Sequence, residues 1–184
     1  YHDLSLRRRI GGVSRRLTDG LRARDLDVSR DGGTVAFVMN ELGDNHLALI
    51  PFSGGKHRVL RKGAGGEQFF RPRFSPDGKR LVVSYWRPGG RRDIALVDVA
   101  SGALKLLTDD RAMDLDPVFS KDGERVFFSS DRTGIFNIYC LELGSGRLWQ
   151  LTNVLGAALG PTLSADERRL IYVGFGPYGF DLHG

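Results

Sequence analysis

The chain has 184 residues, a formal net charge of +5, 25 glycines and one cysteine. No apolar run approaches the ~20 residues that a membrane helix requires, which excludes insertion by helices. The lone Cys140 has no partner for an intrachain disulfide, so it fits an oxidising or a reducing compartment alike.

The charge is unevenly spread. Residues 1–92 carry 19 Lys+Arg against 9 Asp+Glu, a balance of +10, and residues 93–184 carry 8 against 13, a balance of −5. Such polarity suits an anionic partner at the first half, or a basic face of one molecule meeting the acidic face of another. An Arg-rich composition from a GC-rich genome accounts for it equally well.

In chain order, Tyr1–Leu6 and Val13–Thr18 read as two short strands joined by a turn at Arg9–Gly12. Their ending, Arg16-Leu-Thr18, returns as Leu106-Leu-Thr108 and Gln150-Leu-Thr152. They are therefore expected to be the last two strands of a unit whose first strands precede this chain. With no initiator Met and no signal segment at Tyr1, the chain reads as a piece of something longer.

Four units follow, each opened by a turn and an apolar strand: Val28–Val38, Phe74–Ser84, Phe119–Ser129 and Leu163–Val173. Aligned on Ser29, Ser75, Ser120 and Ser164 they lie 46, 45 and 44 residues apart, the period of four-stranded propeller blades. Asp31, Asp77, Asp122 and Asp166 can bond to backbone just ahead, and Gly32, Gly78 and Gly123 supply positive φ at little cost. Glu167 stands where the fourth glycine belongs, so that turn is either strained by roughly 1 kcal/mol or of another type. Ser53-Gly-Gly55, Ala100-Ser-Gly102 and Gly144-Ser-Gly146 lie between alternating runs as hairpin loops do.

The expected fold is all-β, a β-propeller of four-stranded antiparallel blades. The units are residues 1–20, 21–66, 67–111, 112–155 and 156–184. Strand counting gives two strands, three sets of four, and a final three after Arg169–Val173 and Tyr178–Leu182. One strand too many remains for a closed four-bladed ring, so a partial propeller is expected.

The segment Asp116–Tyr139 closely resembles the WD-like repeat of the TolB propeller family. Its Ser130-Asp-Arg-x-Gly134 followed by Asn137-Ile-Tyr139 and the flanking Leu-Thr endings carry the likeness, and all four units match in part. The resemblance implies a propeller of the bacterial envelope or periplasm, acting as an adaptor for a peptide-like segment of the peptidoglycan-associated lipoprotein. The same repeats also form the gating propellers of prolyl-oligopeptidase-like serine peptidases. TolB's N-terminal α/β domain and any hydrolase domain are absent from these residues.

In a propeller the first strands line the central channel. Four residues before the repeat serine stand Asp25, Arg71, Asp116 and Gly160; two before it stand Asp27, Arg73, Val118 and Thr162. A period of two sends both sets to one side and Val28, Phe74, Phe119 and Leu163 to the other. Arg71, Arg73, Asp25 and Asp116, with Arg24 and Asp114 in the loops, are thus candidates for holding a protein or peptide partner at the channel mouth. The competing reading is a channel of mutually paired charges.

Trp86–Arg92 reads as a basic, aromatic loop on the same face. Arg87, Arg91 and Arg92, with stacking on Trp86, suit an acidic peptide or nucleic acid; a solvated hairpin is the alternative, and nucleic acid is not the expected partner of the chain. Asp109, Asp110, Asp114 and Asp116 suit calcium chemically but lack the EF-hand order. Gly174–Gly179 fits the dinucleotide pattern by letters, but Pro177 interrupts it and no helix follows. His2, His46, His57 and His183 lack metal-ligand spacing, and no Ser sits in a Gly-x-Ser-x-Gly elbow.

The sequence thus points to a non-enzymatic binding module without a cofactor. Two other functions stay open: the propeller of a peptidase whose catalytic domain lies elsewhere, and a carbohydrate- or anion-binding propeller. Two copies completing one ring is a further arrangement the repeats allow.

Overall fold

The computed structural model describes residues 2–7, 12 and 14–184. Its first two strands, β1 (Ser5–Leu6) and β2 (Arg15–Arg16), pair antiparallel with Ser5 opposite Arg16. The turn expected at Arg9–Gly12 lies outside the described residues except for Gly12.

Three four-stranded antiparallel sheets follow, each in chain order. The first holds β3 (Arg24–Val28), β4 (Thr34–Glu41), β5 (Asp44–Pro51) and β6 (Arg58–Lys62). The second holds β7 (Gln68–Phe74), β8 (Arg80–Arg87), β9 (Arg91–Asp98) and β10 (Leu104–Leu106), and the third β11 (Asp114–Phe119), β12 (Arg125–Ser130), β13 (Asn137–Glu142) and β14 (Leu148–Gln150). A three-stranded sheet ends the chain with β15 (Ala157–Leu163), β16 (Leu170–Gly176) and β17 (Gly179–His183). The series of two, four, four, four and three strands is the one that the repeats imply. The inner strands β3, β7, β11 and β15 lie side by side, and the array is unclosed.

Packing follows from alternation. Successive residues of a strand face opposite sides of its sheet, and in the middle blades both sides are covered by a neighbour. On β4, Val35, Phe37 and Met39 pack with Leu4 and Ile50 toward the β1–β2 hairpin, while Ala36 and Val38 pack with Leu47, Phe69, Leu81 and Val83 toward the second sheet. On β8, Val82 instead joins Ile94, Phe119, Val126 and Phe128 toward the third sheet. Each fully buried Phe or Leu in these layers contributes about 1.5–3 kcal/mol. The last sheet is less covered: Ile171, Phe175, Phe180 and Leu182 are exposed.

The turn that opens each unit is built identically. The serine hydroxyl donates to the aspartate two residues on, Ser29 to Asp31 at 2.6 Å and Ser75 to Asp77 at 2.5 Å, with Ser120 to Asp122 and Ser164 to Asp166 alike. It also accepts the N–H five residues on, from Thr34, Arg80, Arg125 and Arg169 at 2.9–3.0 Å. Glu167 sits at φ 56°, so the fourth turn keeps the geometry and bears the strain. Its carboxylate compensates by accepting the backbone N–H of Lys121 in the preceding blade.

The Leu-Thr endings have a definite task. The fourth strand stops before the third strand does, which leaves a buried N–H without a ladder partner. Thr18, Thr108 and Thr152 accept that proton through Oγ1, from Leu4, Ile94 and Ile138 at 2.8–2.9 Å. The residue just before each donor is Asp3, Asp93 or Asn137, and Asn137 accepts in turn from Thr152 Oγ1 at 3.0 Å. His46 holds the corresponding place in the first blade and accepts the Gly63 N–H through Nδ1 at 3.2 Å, while Asn45, one residue earlier, is bonded to both backbone polar atoms of Phe69.

Candidate functional site

The inner strands carry one irregularity at one place in every blade. Register shifts fall between Arg24 and Asp27, Phe70 and Arg73, Leu115 and Val118, and Leu159 and Thr162. Inside each bulge the residue four before the repeat serine is left-handed: Asp25 at φ 49°, Arg71 at 50°, Asp116 at 51° and Gly160 at 61°. Only the last is a glycine. Left-handed geometry at a non-glycine residue costs about 1–2 kcal/mol, and such strain collects where a side chain must be aimed. Pro72, Pro117 and Pro161 come next in three of the four, where the bulge excuses a residue without an N–H.

The bulges line the strained residues up across blades. The backbone N–H of Arg71 donates to Asp25 Oδ2 at 3.3 Å, and Arg71 Nε lies 3.3 Å from Asp116 Oδ1. Arg24 lies 3.6 Å from Asp25, and Arg73 lies 3.8 Å from Asp27 while donating to the Leu26 carbonyl at 3.2 Å. Asp27 also accepts the Phe74 N–H at 2.8 Å. Arg71, Arg73, Asp116, Val118, Gly160 and Thr162 line a cavity of about 400 Å³. The alternation expected along these strands thus brings both sets of positions to one wall. Their charges are largely paired, yet the Arg71 side chain remains 55% exposed.

Above this wall two guanidinium groups share one aromatic ring. Arg92 lies 4.1 Å and Arg24 4.9 Å from the centroid of Phe70. Arg92 Nε donates to Ser84 Oγ at 2.8 Å, and Ser84 passes a bond of 2.7 Å to the Asp114 carbonyl. Burial pushes the Arg92 pKa down, against the nearby charges of Asp116 and Asp25.

The remaining candidates are placed differently from expectation. Trp86 and Arg87 belong to β8, and Arg91 and Arg92 to β9, so only Pro88–Gly90 is turn. Arg87 is not a free loop cation: it donates to the buried Asp93 at 2.8 Å and to Asp109 at 2.6 Å, and Arg91 joins Asp109 at 3.1 Å. Trp86 pairs across the ladder with Arg92, whose guanidinium goes to Phe70 instead. Arg24 opens β3 and Asp114 opens β11, neither lying in a loop. Asp114 is completely buried and held by Arg132 at 3.1 and 3.2 Å, so it has no surface to offer a partner. The carboxylates of Asp109, Asp110, Asp114 and Asp116 are taken up by Arg87, Arg132 and Arg71, and among the described residues no group of three or more His, Cys, Asp or Glu is placed to hold a metal.

Two residues escaped the sequence reading. Phe70 looks like one more apolar strand residue, and only the guanidinium groups of Arg24 and Arg92 mark it out. Arg132 sits inside the Ser-Asp-Arg block, and that block carries the signal: the arginine clamps Asp110 and Asp114 while lying 5.0 Å from the Tyr139 ring.

An open array of four-stranded antiparallel sheets whose polar inner strands stand side by side is a partial β-propeller. The model of the TolB beta propeller domain matches residues 25–177, and the chain belongs to that family. An uncharacterised protein of Agrobacterium fabrum is 27% identical over 158 residues, 85% of this chain and 53% of that protein. The Tol-Pal system protein TolB of Gluconobacter oxydans is 34% identical over 113 residues, 60% of this chain and 24% of its own length. Among solved structures, TolB from Acinetobacter baumannii matches with a TM-score of 0.85 and 24% identity, over 98% of this chain and 45% of that one. A puromycin hydrolase shares the fold, with a TM-score of 0.74 and 20% identity over 92% of this chain and 28% of its own. The chain therefore spans about half, or less, of the relatives it matches.

Proposed function

We propose that the chain is a non-enzymatic binding module of the bacterial envelope, holding a segment of a protein partner against the inner-strand wall. The observation that carries this reading is the row of left-handed Asp25, Arg71 and Asp116 beside the 400 Å³ cavity. Three charged side chains are kept at one level of three adjacent blades at a conformational cost, a use of strain typical of sites that aim side chains at a ligand. Arg71 and Arg73 offer donors to a peptide backbone or acidic side chain, and Asp116 offers an acceptor. The periplasmic location and the partner class follow the TolB relatives, one of which is a Tol-Pal system protein.

Titration with the soluble domain of a peptidoglycan-associated lipoprotein tests the reading. Saturable binding that weakens at least tenfold in Arg71→Glu, with the unfolding midpoint unchanged, supports it. Binding that is absent, or indifferent to Arg71→Glu and Asp116→Lys together, overturns it.

A further inference from the structure

The geometry points to Arg24, Phe70 and Arg92 as a receptor for a single carboxylate carried by the partner segment. This rests on the peptide-binding reading of the same wall and adds the chemical group that the site selects.

Two cations on one ring repel each other, and the surroundings only partly relieve them. Arg24 has Asp25 at 3.6 Å, a loose pair. Among the described residues Arg92 has no carboxylate within 4.0 Å; its Nε is taken by the neutral Ser84, and Asp25 and Asp116 act on it only as more distant charges. The Arg92 guanidinium carbon lies 4.1 Å from the Phe70 ring centroid, and among the described residues only its Nε has a hydrogen-bond partner. A guanidinium over a ring with its two terminal nitrogens unpartnered can offer paired N–H donors to the two oxygens of a carboxylate. Partial burial lowers the dielectric there and strengthens the pair that would form.

The arrangement also excludes alternatives. Arg87 and Arg91, the other cations of this hairpin, are occupied by Asp93 and Asp109 and do not compete for the anion. A phosphate dianion would be drawn to the same arginines, but Asp25 and Asp116 lie close enough to penalise a second negative charge.

The test reads the arginine side chains directly. With 15N-labelled protein, the Arg92 Nε–Hε resonance is followed during titration with acetyl-Gly-Asp-Gly-amide, its Asn analogue, Gly-Gly-Gly with a free C-terminus, and inorganic phosphate. A saturable shift with the Asp peptide or with the free C-terminus, at least tenfold weaker with the Asn analogue, is expected, and the two carboxylate probes tell a side chain from a chain end. Arg24→Gln, read on the Arg92 resonance, and Arg92→Lys, read on the Arg24 Nε–Hε resonance, should each weaken the response about tenfold, with unchanged backbone spectra certifying the fold. Equal response to the Asp and Asn peptides, no response, or a stronger response to phosphate overturns the assignment. A carboxylate response without lipoprotein binding would sink the partner reading and leave the receptor standing; the reverse would sink the receptor alone.

Discussion

The backbone N–H of Arg71 donates to the carboxylate of Asp25, 46 residues earlier, so two left-handed residues in successive blades are bonded to each other across one full repeat. The bulge at Arg71 is therefore fixed from the neighbouring blade as well as by its own strand, and Gly160 is held likewise by Ser129 Oγ at 3.1 Å. Local strain and the joint between blades are one feature.

Replacing Arg71 by Gly relieves the left-handed geometry while keeping the backbone N–H that Asp25 accepts. The lost Arg71–Asp116 pair is exposed and worth at most about 1 kcal/mol, against roughly 1–2 kcal/mol of relieved strain. The expected outcome in urea unfolding is a midpoint that stays or rises, together with weaker partner binding.

Thr108→Val removes the acceptor of the buried Ile94 N–H at similar side-chain volume. An orphaned buried donor costs about 1–3 kcal/mol, so the midpoint should fall with an unchanged denaturant slope. Thr152→Val should behave alike, since Thr152 serves Ile138 in the next blade.

Arg87→Ala strips the buried Asp93 of its counter-charge, and breaking such a pair costs about 3 kcal/mol or more. Arg91→Ala touches only the exposed Asp109 and should cost less than about 1 kcal/mol. Equal effects in thermal melts would contradict the division of labour between these two arginines.

Acid should act in two opposing ways. Bonds from Ser29, Ser75, Ser120 and Ser164 lower the carboxyls of Asp31, Asp77, Asp122 and Asp166. Folded pKa values below the unfolded 3.8 mean stability that is present above 3.8 and lost as pH falls through the folded values. Burial raises Asp93 and Asp114, so each folded form binds a proton more readily than the unfolded chain. Those two subtract stability as pH climbs from 3.8 through their raised values. Asp93→Asn, which installs the residue that Asn137 already presents at that place in the third blade, should flatten the decline on the alkaline side of 3.8 and leave the acid limb unchanged. Urea melts between pH 3 and 7 separate the two limbs.

Cys140 is buried on β13, and burial raises its thiol pKa. Reaction with a thiol reagent should be slow in the folded protein and should accelerate with denaturant in step with unfolding. Fast reaction under native conditions would mean that the third blade opens on its own.

The repeat was legible because its marker is chemical. Ser-x-Asp turns and Leu-Thr endings are made by side chains with fixed hydrogen-bonding duties, so they survive as letters at constant spacing. The bulges were not legible, since left-handed geometry there is carried by Asp25, Arg71 and Asp116, and only Gly160 announces it. Alternation still found the wall because the bulge returns the strand to the same face by Arg73 and Val118. The Trp86–Arg92 stretch misled for a different reason: composition records three arginines, whereas Asp93 and Asp109, which occupy two of them, are ordinary letters nearby. The burial of Asp114 was equally hidden, since its partner Arg132 is 18 residues away.

The carboxylate bonds between blades also give the array a fixed reading order. Asp27 can accept from Phe74 only if the blade carrying an acid at that position precedes the one offering the N–H, and Arg73 and Val118 at the matching places, which have no side-chain acceptor, cannot substitute. Glu167 binds backward to Lys121 and has no counterpart in the earlier units, which place glycine there. The blades are thus alike in fold but not interchangeable in position. An exchange of the second and third units would keep every strand and hairpin and lose the joints, so neighbours in this propeller recognise each other by side chain.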